Sequence, residues 1–137
     1  MANQSENHSK LVNQTLLEIG KRFPDVVAWK NHTGQAFTPG SVTDALNCII
    51  NGGTFKDARG MLTPIRFGIV GQADISGIFK PSGRRLEIEV KTGEGRLSDE
   101  QQNFRAMIEA YGGIHIELRD LKGLDVINQS KMDIGEG

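Results

Sequence analysis

Leu86-Glu87-Ile88-Glu89-Val90-Lys91 is the stretch on which the fold turns. Its residues alternate, so Leu86, Ile88 and Val90 share one face of a strand while Glu87, Glu89 and Lys91 share the other. Upstream stands Gly71-Gln72-Ala73-Asp74-Ile75. Between the two lies Lys80-Pro81-Ser82-Gly83-Arg84, built of turn residues. A hairpin centred near Ser82 folds Asp74 back opposite residues 89–91. Two carboxylates and an ammonium then meet at one place.

Working outward, the remaining punctuation gives an α/β order. Residues 5–22 read as a helix, capped by Ser5 or Ser9, with Val12, Leu16, Ile19 and Phe23 as its apolar stripe and Pro24 as its stop. Val26 to Trp29 is a short strand, with Trp29 read as core, leading into Lys30-Asn31-His32-Thr33-Gly34. Residues 35–60 read as an insertion: a break at Pro39-Gly40-Ser41, a short helix over Val42 to Ile50, then loop from Thr54 to Gly60. Pro64 to Phe67 is a further strand. Ser98-Asp99-Glu100-Gln101 opens a second helix that ends at Gly112-Gly113, with Phe104, Ile108 and Tyr111 facing inward. Ile114 to Leu118 alternates as the last strand, and residues 128–137 read as a flexible tail. Helix, strands with a hairpin, helix and strand predict a mixed β-sheet flanked by helices.

Composition bounds the function. A chain of 137 residues is the size of one domain and buries roughly two-thirds of its unfolded surface. The single cysteine, Cys48, has no internal disulfide partner and reads as a small buried hydrophobe. Met1 to Lys10 is polar, without a hydrophobic signal region, and no apolar run approaches the roughly 20 residues that span a bilayer. The expectation is a soluble cytoplasmic protein with no membrane partner. The net charge is −1, without the basic excess of a protein that grips DNA by charge alone. Basic residues are bunched locally, at Lys56, Arg59 and Arg66 and again at Arg84, Arg85, Lys91 and Arg96.

Hydrolysis of a phosphodiester needs an activated water, neutralisation of developing charge and a held geometry. Mg²⁺ or Mn²⁺ held by one or two carboxylates supplies the first two. Residues i and i+2 on a strand point the same way, roughly 6.8 Å apart, so Glu89 can hold a cation while Lys91 reaches the water or a phosphate oxygen. Asp74 can bridge from the neighbouring strand, and the Val90 carbonyl is a further oxygen ligand. His8, His32 and His115 show no zinc-ligand spacing.

The run Gly68-Ile69-Val70-Gly71-Gln72-Ala73-Asp74-Ile75, followed by Glu87-Ile88-Glu89-Val90-Lys91 and Gly95-Arg96-Leu97-Ser98-Asp99-Glu100-Gln101, resembles the VRR-NUC (virus-type replication-repair nuclease) family of the PD-(D/E)xK nuclease superfamily. The match covers residues 66–113, and more loosely residues 5–34. It implies a restriction-endonuclease-like core and a metal-dependent deoxyribonuclease leaving 5′-phosphate and 3′-hydroxyl ends. In that resemblance Asp74 is the first motif aspartate, Glu89 and Lys91 are the acid and lysine of (D/E)-x-K, and Gln101 is the helix glutamine. Glu18, or else Glu6, supplies the acid of the first helix. Ala73 departs from the proline that precedes the aspartate in many relatives. The resemblance further implies branched DNA, such as four-way junctions, as substrate, and a symmetric homodimer that cuts paired strands.

Each residue has a plainer reading. Gln101 fits the capping box Ser98-x-x-Gln101 as well as an active-site role. Glu18 and Glu87 can be surface or supporting acids. Arg66, Arg96, Lys30 and Asn31 can contact nucleic acid or merely be solvated. A non-catalytic nucleic-acid-binding module on the same fold is the alternative function.

Overall fold

Val12, Leu16, Ile19 and Phe23 recur at helical spacing. In the computed structural model, which describes residues 4–32 and 34–128, the first three lie on a helix that ends at Arg22, and Phe23 follows it directly. The elements run α1 (Gln4–Arg22), β1 (Val26–Lys30), β2 (Gly34–Phe37), α2 (Pro39–Ile50), α3 (Phe55–Gly60), β3 (Pro64–Phe67), β4 (Ile75–Phe79), β5 (Arg85–Val90), α4 (Asp99–Ala110) and β6 (Ile114–Leu118), then a 3-10 turn at Leu121–Leu124. They form two compact units. One comprises residues up to Asn31 and from Val70 on, and the other is His32–Ile69. Ser5 and Ser9, expected as caps, lie inside α1, because the helix already includes Gln4.

The first unit is a restriction-endonuclease-like α/β core. Its sheet has the order β1-β4-β5-β6. β1, β4 and β5 are antiparallel in sequence, and β5 pairs parallel with β6. A parallel pair requires a crossover connection, which α4 provides. Leu86, Ile88 and Val90 lie in one core with Val12 and Ile19 of α1 and with Phe23 just after it. Each fully buried side chain of this kind contributes about 1.5–3 kcal/mol, so Ile88→Ala would cost about 2–5 kcal/mol.

The other face of the sheet is buried too, but it is polar. Ser76, Glu87, Glu89 and His115 are all under 7% exposed. α4 covers this face through Phe104, which meets the His115 ring edge-on with centroids 6.3 Å apart. Burial pushes the His115 imidazole pKa down, and the Arg105 charge adds to that. Glu87 is a fully buried acid, not a surface one. Its carboxylate accepts from Ser76 Oγ at 2.7 Å and from Arg85 Nε. Trp29 is 40% exposed, because β1 is an edge strand, and Arg85 lies over its ring. Tyr111 is 89% exposed, because it follows α4 as its C-cap and has left the inward stripe.

In the second unit β2 pairs antiparallel with β3, from Gly34↔Phe67 to Phe37↔Pro64. Between them α2 is capped by Thr38, and α3 by a full capping box of Thr54 and Asp57. The segment 54–60, expected as loop, thus carries a helix, and β2 occupies residues in which the sequence shows no strand pattern. Cys48 is only partly buried. Among the described residues no helix is long and apolar enough to cross a membrane. Of the expected tail, residues 129–137 lie outside the described residues.

Candidate metal centre

The β4–β5 register pairs Ile75 with Ile88. One step further places Asp74 opposite Glu89, on the polar face. Backbone contacts hold Asp74 there. The Asn31 amide donates to the Asp74 carbonyl at 2.8 Å, extending the β1–β4 ladder by one pair. The Asn31 side-chain Nδ2 donates to the Ala73 carbonyl and to Ser76 Oγ. Asn31, read from the sequence as a nucleic-acid contact, is thus committed to positioning Asp74. Gly71 fixes the approach to β4 from the other direction. Its φ is +79°, and a Cβ there would lie 2.2 Å from the Glu100 carbonyl oxygen. The turn before Asp74 therefore rests directly on the first turn of α4, as only glycine permits.

Asp74 Oδ2 accepts from the Val90 amide at 2.8 Å. His8 Nε2, from α1, stands 3.2 Å from Asp74 Oδ2 and 3.1 Å from the Val90 carbonyl oxygen. Both neighbours are acceptors, so Nε2 carries the ring hydrogen in this arrangement.

Glu89, Lys91 and Gln101 complete the cluster. Lys91 Nζ donates to Gln101 Oε1 at 2.9 Å and lies 3.6 Å from Glu89 Oε1. Gln101 Nε2 donates to the same Glu89 oxygen at 2.8 Å. Gln101 Oε1 also accepts from the Ser98 amide, while Ser98 Oγ accepts from the Gln101 amide. Cap and cluster, which the sequence offered as alternatives, are both present.

Glu89 is 4% exposed. Its second oxygen, Oε2, has no hydrogen-bond partner among the described residues. Burial first, and then the negative charge of Asp74, push the Glu89 carboxyl up to about 7, against the pull of Lys91. Two facing carboxylates are both acceptors, so they can share a hydrogen bond only when one carries a proton. The bare Oε2 beside Asp74 therefore calls for a proton or a cation.

The other candidates are dispersed. Glu18 lies ten residues beyond His8 on α1, about 15 Å of rise away. It makes no side-chain hydrogen bond or ion pair among the described residues. α1 brings His8 to the cluster, while Glu18 stands well away along the helix. Nothing in the sequence singled His8 out, because its partners are 66 and 82 residues away. Lys30 is exposed at the end of β1, next to Asn31. Arg96 is exposed in the loop before α4 and lines a groove with Arg105 and Glu117. Arg66 is exposed on β3 and belongs to the second unit.

The donor set is two carboxylates, a backbone carbonyl and an imidazole. Its oxygens suit a hard divalent ion, and the orphaned Glu89 oxygen is the atom such an ion would satisfy. Among the described residues no three acid, imidazole or thiol side chains are already arrayed around a metal position. His8 is instead hydrogen-bonded into the set. Comparison of the chain with protein-family models and with curated proteins returned no match.

Proposed function

We propose that the first unit is a divalent-metal-dependent nuclease that hydrolyses phosphodiester bonds in DNA. The observation that carries this reading is the buried Glu89 carboxylate facing a partly exposed Asp74, with one Glu89 oxygen lacking a donor among the described residues, beside an ammonium held at a fixed distance. Burying like charges together costs several kcal/mol per ion. Fold stability does not explain such a cluster, and a site that binds a cation does.

Asp74, Glu89, the Val90 carbonyl and His8 are the groups that would hold Mg²⁺ or Mn²⁺. Bound there, the ion would lower the pKa of a water and offset charge on a phosphate oxygen. The chain's own residues do the rest. Gln101 holds Lys91 by its ammonium, so the charge is aimed before substrate arrives and needs no reorganisation during reaction. Lys91 orients the attacking water and stabilises the charge that develops on the phosphate. The Val90 amide fixes Asp74, and Asn31 fixes the backbone behind it. Lys30 and Arg96 are exposed cations that can take flanking phosphates.

The resemblance to VRR-NUC nucleases supports the same assignment of Asp74, Glu89, Lys91 and Gln101. It also supports branched DNA, including four-way junctions, as substrate. The test is cleavage of supercoiled plasmid and of a four-way junction with Mg²⁺ or Mn²⁺. Wild type should cut only with metal, and Lys91→Ala should lose roughly 10²–10⁴-fold while keeping its fold. Metal-independent binding without cuts by the wild type would replace this reading with that of a binding module.

A further inference from the structure

The strand register lays out the polar face of the four-stranded sheet in rows. Val27 faces Ile78, and Ile78 faces Arg85. Trp29, Ser76, Glu87 and His115 make the next row, and Asp74 and Glu89 stand in the row after that. Rows on one face are roughly 6.8 Å apart and neighbouring strands about 4.8 Å. Trp29 on β1 is therefore one row and one strand from Asp74, about 8 Å between Cα positions. Phe104 of α4 covers the His115 end of the middle row. The Trp29 end is open, with Val27, Trp29 and Ile78 64%, 40% and 41% exposed.

The open end is nonetheless held in place. The Arg85 guanidinium lies over the Trp29 ring, 5.6 Å from its centroid. Arg85 Nε donates to the buried Glu87 carboxylate, which also accepts from Ser76 Oγ. Ser76 Oγ in turn accepts from Asn31 Nδ2, which donates to the Ala73 carbonyl as well. One chain of contacts thus runs from the indole to the turn that carries Asp74. It uses a single guanidinium donor. Among the described residues the Arg85 Nη groups and the Trp29 indole N–H have no protein partner.

Size and chemistry select the occupant. Three side chains at about half exposure offer on the order of 300 Å², well under the roughly 800 Å² per partner of a standard protein interface. An indole beside a guanidinium plane with free donors is the kind of surface on which an unstacked base lies. A base inside a duplex is already stacked and does not reach it. We propose that Trp29 and Arg85 form a subsite for one unpaired nucleobase of the strand whose phosphodiester lies at the Asp74–Glu89 centre. This deepens the nuclease reading and rests on it: the strand is gripped where its bases have come apart.

The chain holds one tryptophan, so indole emission reports on this position alone. In the presence of a chelator, a short oligothymidylate should quench it saturably. An abasic strand of the same length and a blunt duplex should not. Trp29→Ala, with folding checked by circular dichroism, should weaken binding of a labelled oligothymidylate roughly five- to hundredfold. Trp29→Phe keeps a ring and should recover most of that loss. With Mn²⁺, Trp29→Ala should raise KM for a junction with unpaired nucleotides by a similar factor and leave kcat near wild type. No quenching by oligothymidylate, or equal quenching by the abasic strand, overturns the subsite, even if metal-dependent cleavage stands. So does a folded Trp29→Ala or Trp29→Phe pair that both bind as tightly as wild type. Base-dependent quenching without any metal-dependent cut sustains the base site and overturns the nuclease reading alone.

Discussion

Lys91 Nζ donates to Gln101 Oε1 at 2.9 Å, the same oxygen that accepts from the Ser98 amide at the start of α4. One side-chain amide therefore finishes a helix and aims a charge. Gln101→Glu separates the two duties. A glutamate keeps the capping box, so helix content and melting temperature should stay close to wild type. It loses the donor to Glu89 and adds a negative charge, so metal-dependent cleavage should fall at least tenfold. Gln101→Ala should lose both, with about 1 kcal/mol of stability gone. Thermal melts and plasmid nicking read the two effects independently.

Glu89 gives the metal-free protein a pH dependence of definite sign. Its carboxyl is raised to about 7 in the fold from an ordinary 4.5. The folded state therefore holds a proton that the unfolded state has released. The stability this represents is complete below about 4.5 and disappears as pH climbs through about 7. At about 1.36 kcal/mol per pH unit the loss reaches up to ~3 kcal/mol. His115, held neutral by burial, works the other way below its ordinary value of 6.5. Glu89→Gln isolates the first term. Without metal it should match wild type near pH 4.5 and exceed it at pH 8 in chemical denaturation.

Divalent ions should reverse that trend. Proton and cation compete for the same two carboxylates, so stabilisation by Mn²⁺ should grow between pH 6 and pH 8. At a hundredfold excess over the dissociation constant it amounts to about 2.7 kcal/mol. Asp74→Asn should abolish the shift, and a chelator should restore the metal-free melting curve. Equal Mn²⁺ shifts at the two pH values would sink the assignment of these acids as ligands.

His8 joins Asp74 Oδ2 to the Val90 carbonyl. As a ligand in waiting it should matter more for ion binding than for folding. His8→Ala should weaken Mn²⁺ binding about ten- to hundredfold, the range seen when groups supporting a metal site are removed. Global stability should change by less than about 1 kcal/mol, since the side chain is a third exposed. Calorimetric titration of Mn²⁺ measures the first and denaturation the second. Unchanged Mn²⁺ affinity would make His8 a latch only.

Gly71→Ala should damage the site from outside it. The new methyl would meet the Glu100 carbonyl and force an L-residue into the left-handed region. Together these should cost more than about 2 kcal/mol and separate the Asp74 turn from α4. Replacing Gly83, which has a positive φ but nothing near its Cβ, should cost only the backbone term of about 1 kcal/mol.

What the sequence revealed and what it hid follow from range. The alternation at 86–91 and the turn at 80–84 are local signals, and they were enough to set Asp74 opposite Glu89. The Ser98–Gln101 box was equally local. α3 is six residues long, too short for periodicity to register, though Thr54-x-x-Asp57 was a capping signal available to be read. Three of the four residues of β2 are exposed, so it shows no alternation. His8 sits on the polar side of α1, and only tertiary folding gives it a role. The burial of Glu87 and Glu89 depended on α4 covering the polar face, which the strand pattern alone does not encode.

β5 is bonded to a neighbour on each edge and covered on each face. A strand so enclosed opens only when the whole unit unfolds. His8 belongs to the opening turns of α1, and helix ends open at small cost. One jamb of the site is therefore fixed and the other hinged. Amide exchange should find the slowest protons at Ile88 and Val90 and fast ones around His8, marking α1's first turns as the side from which the cluster opens.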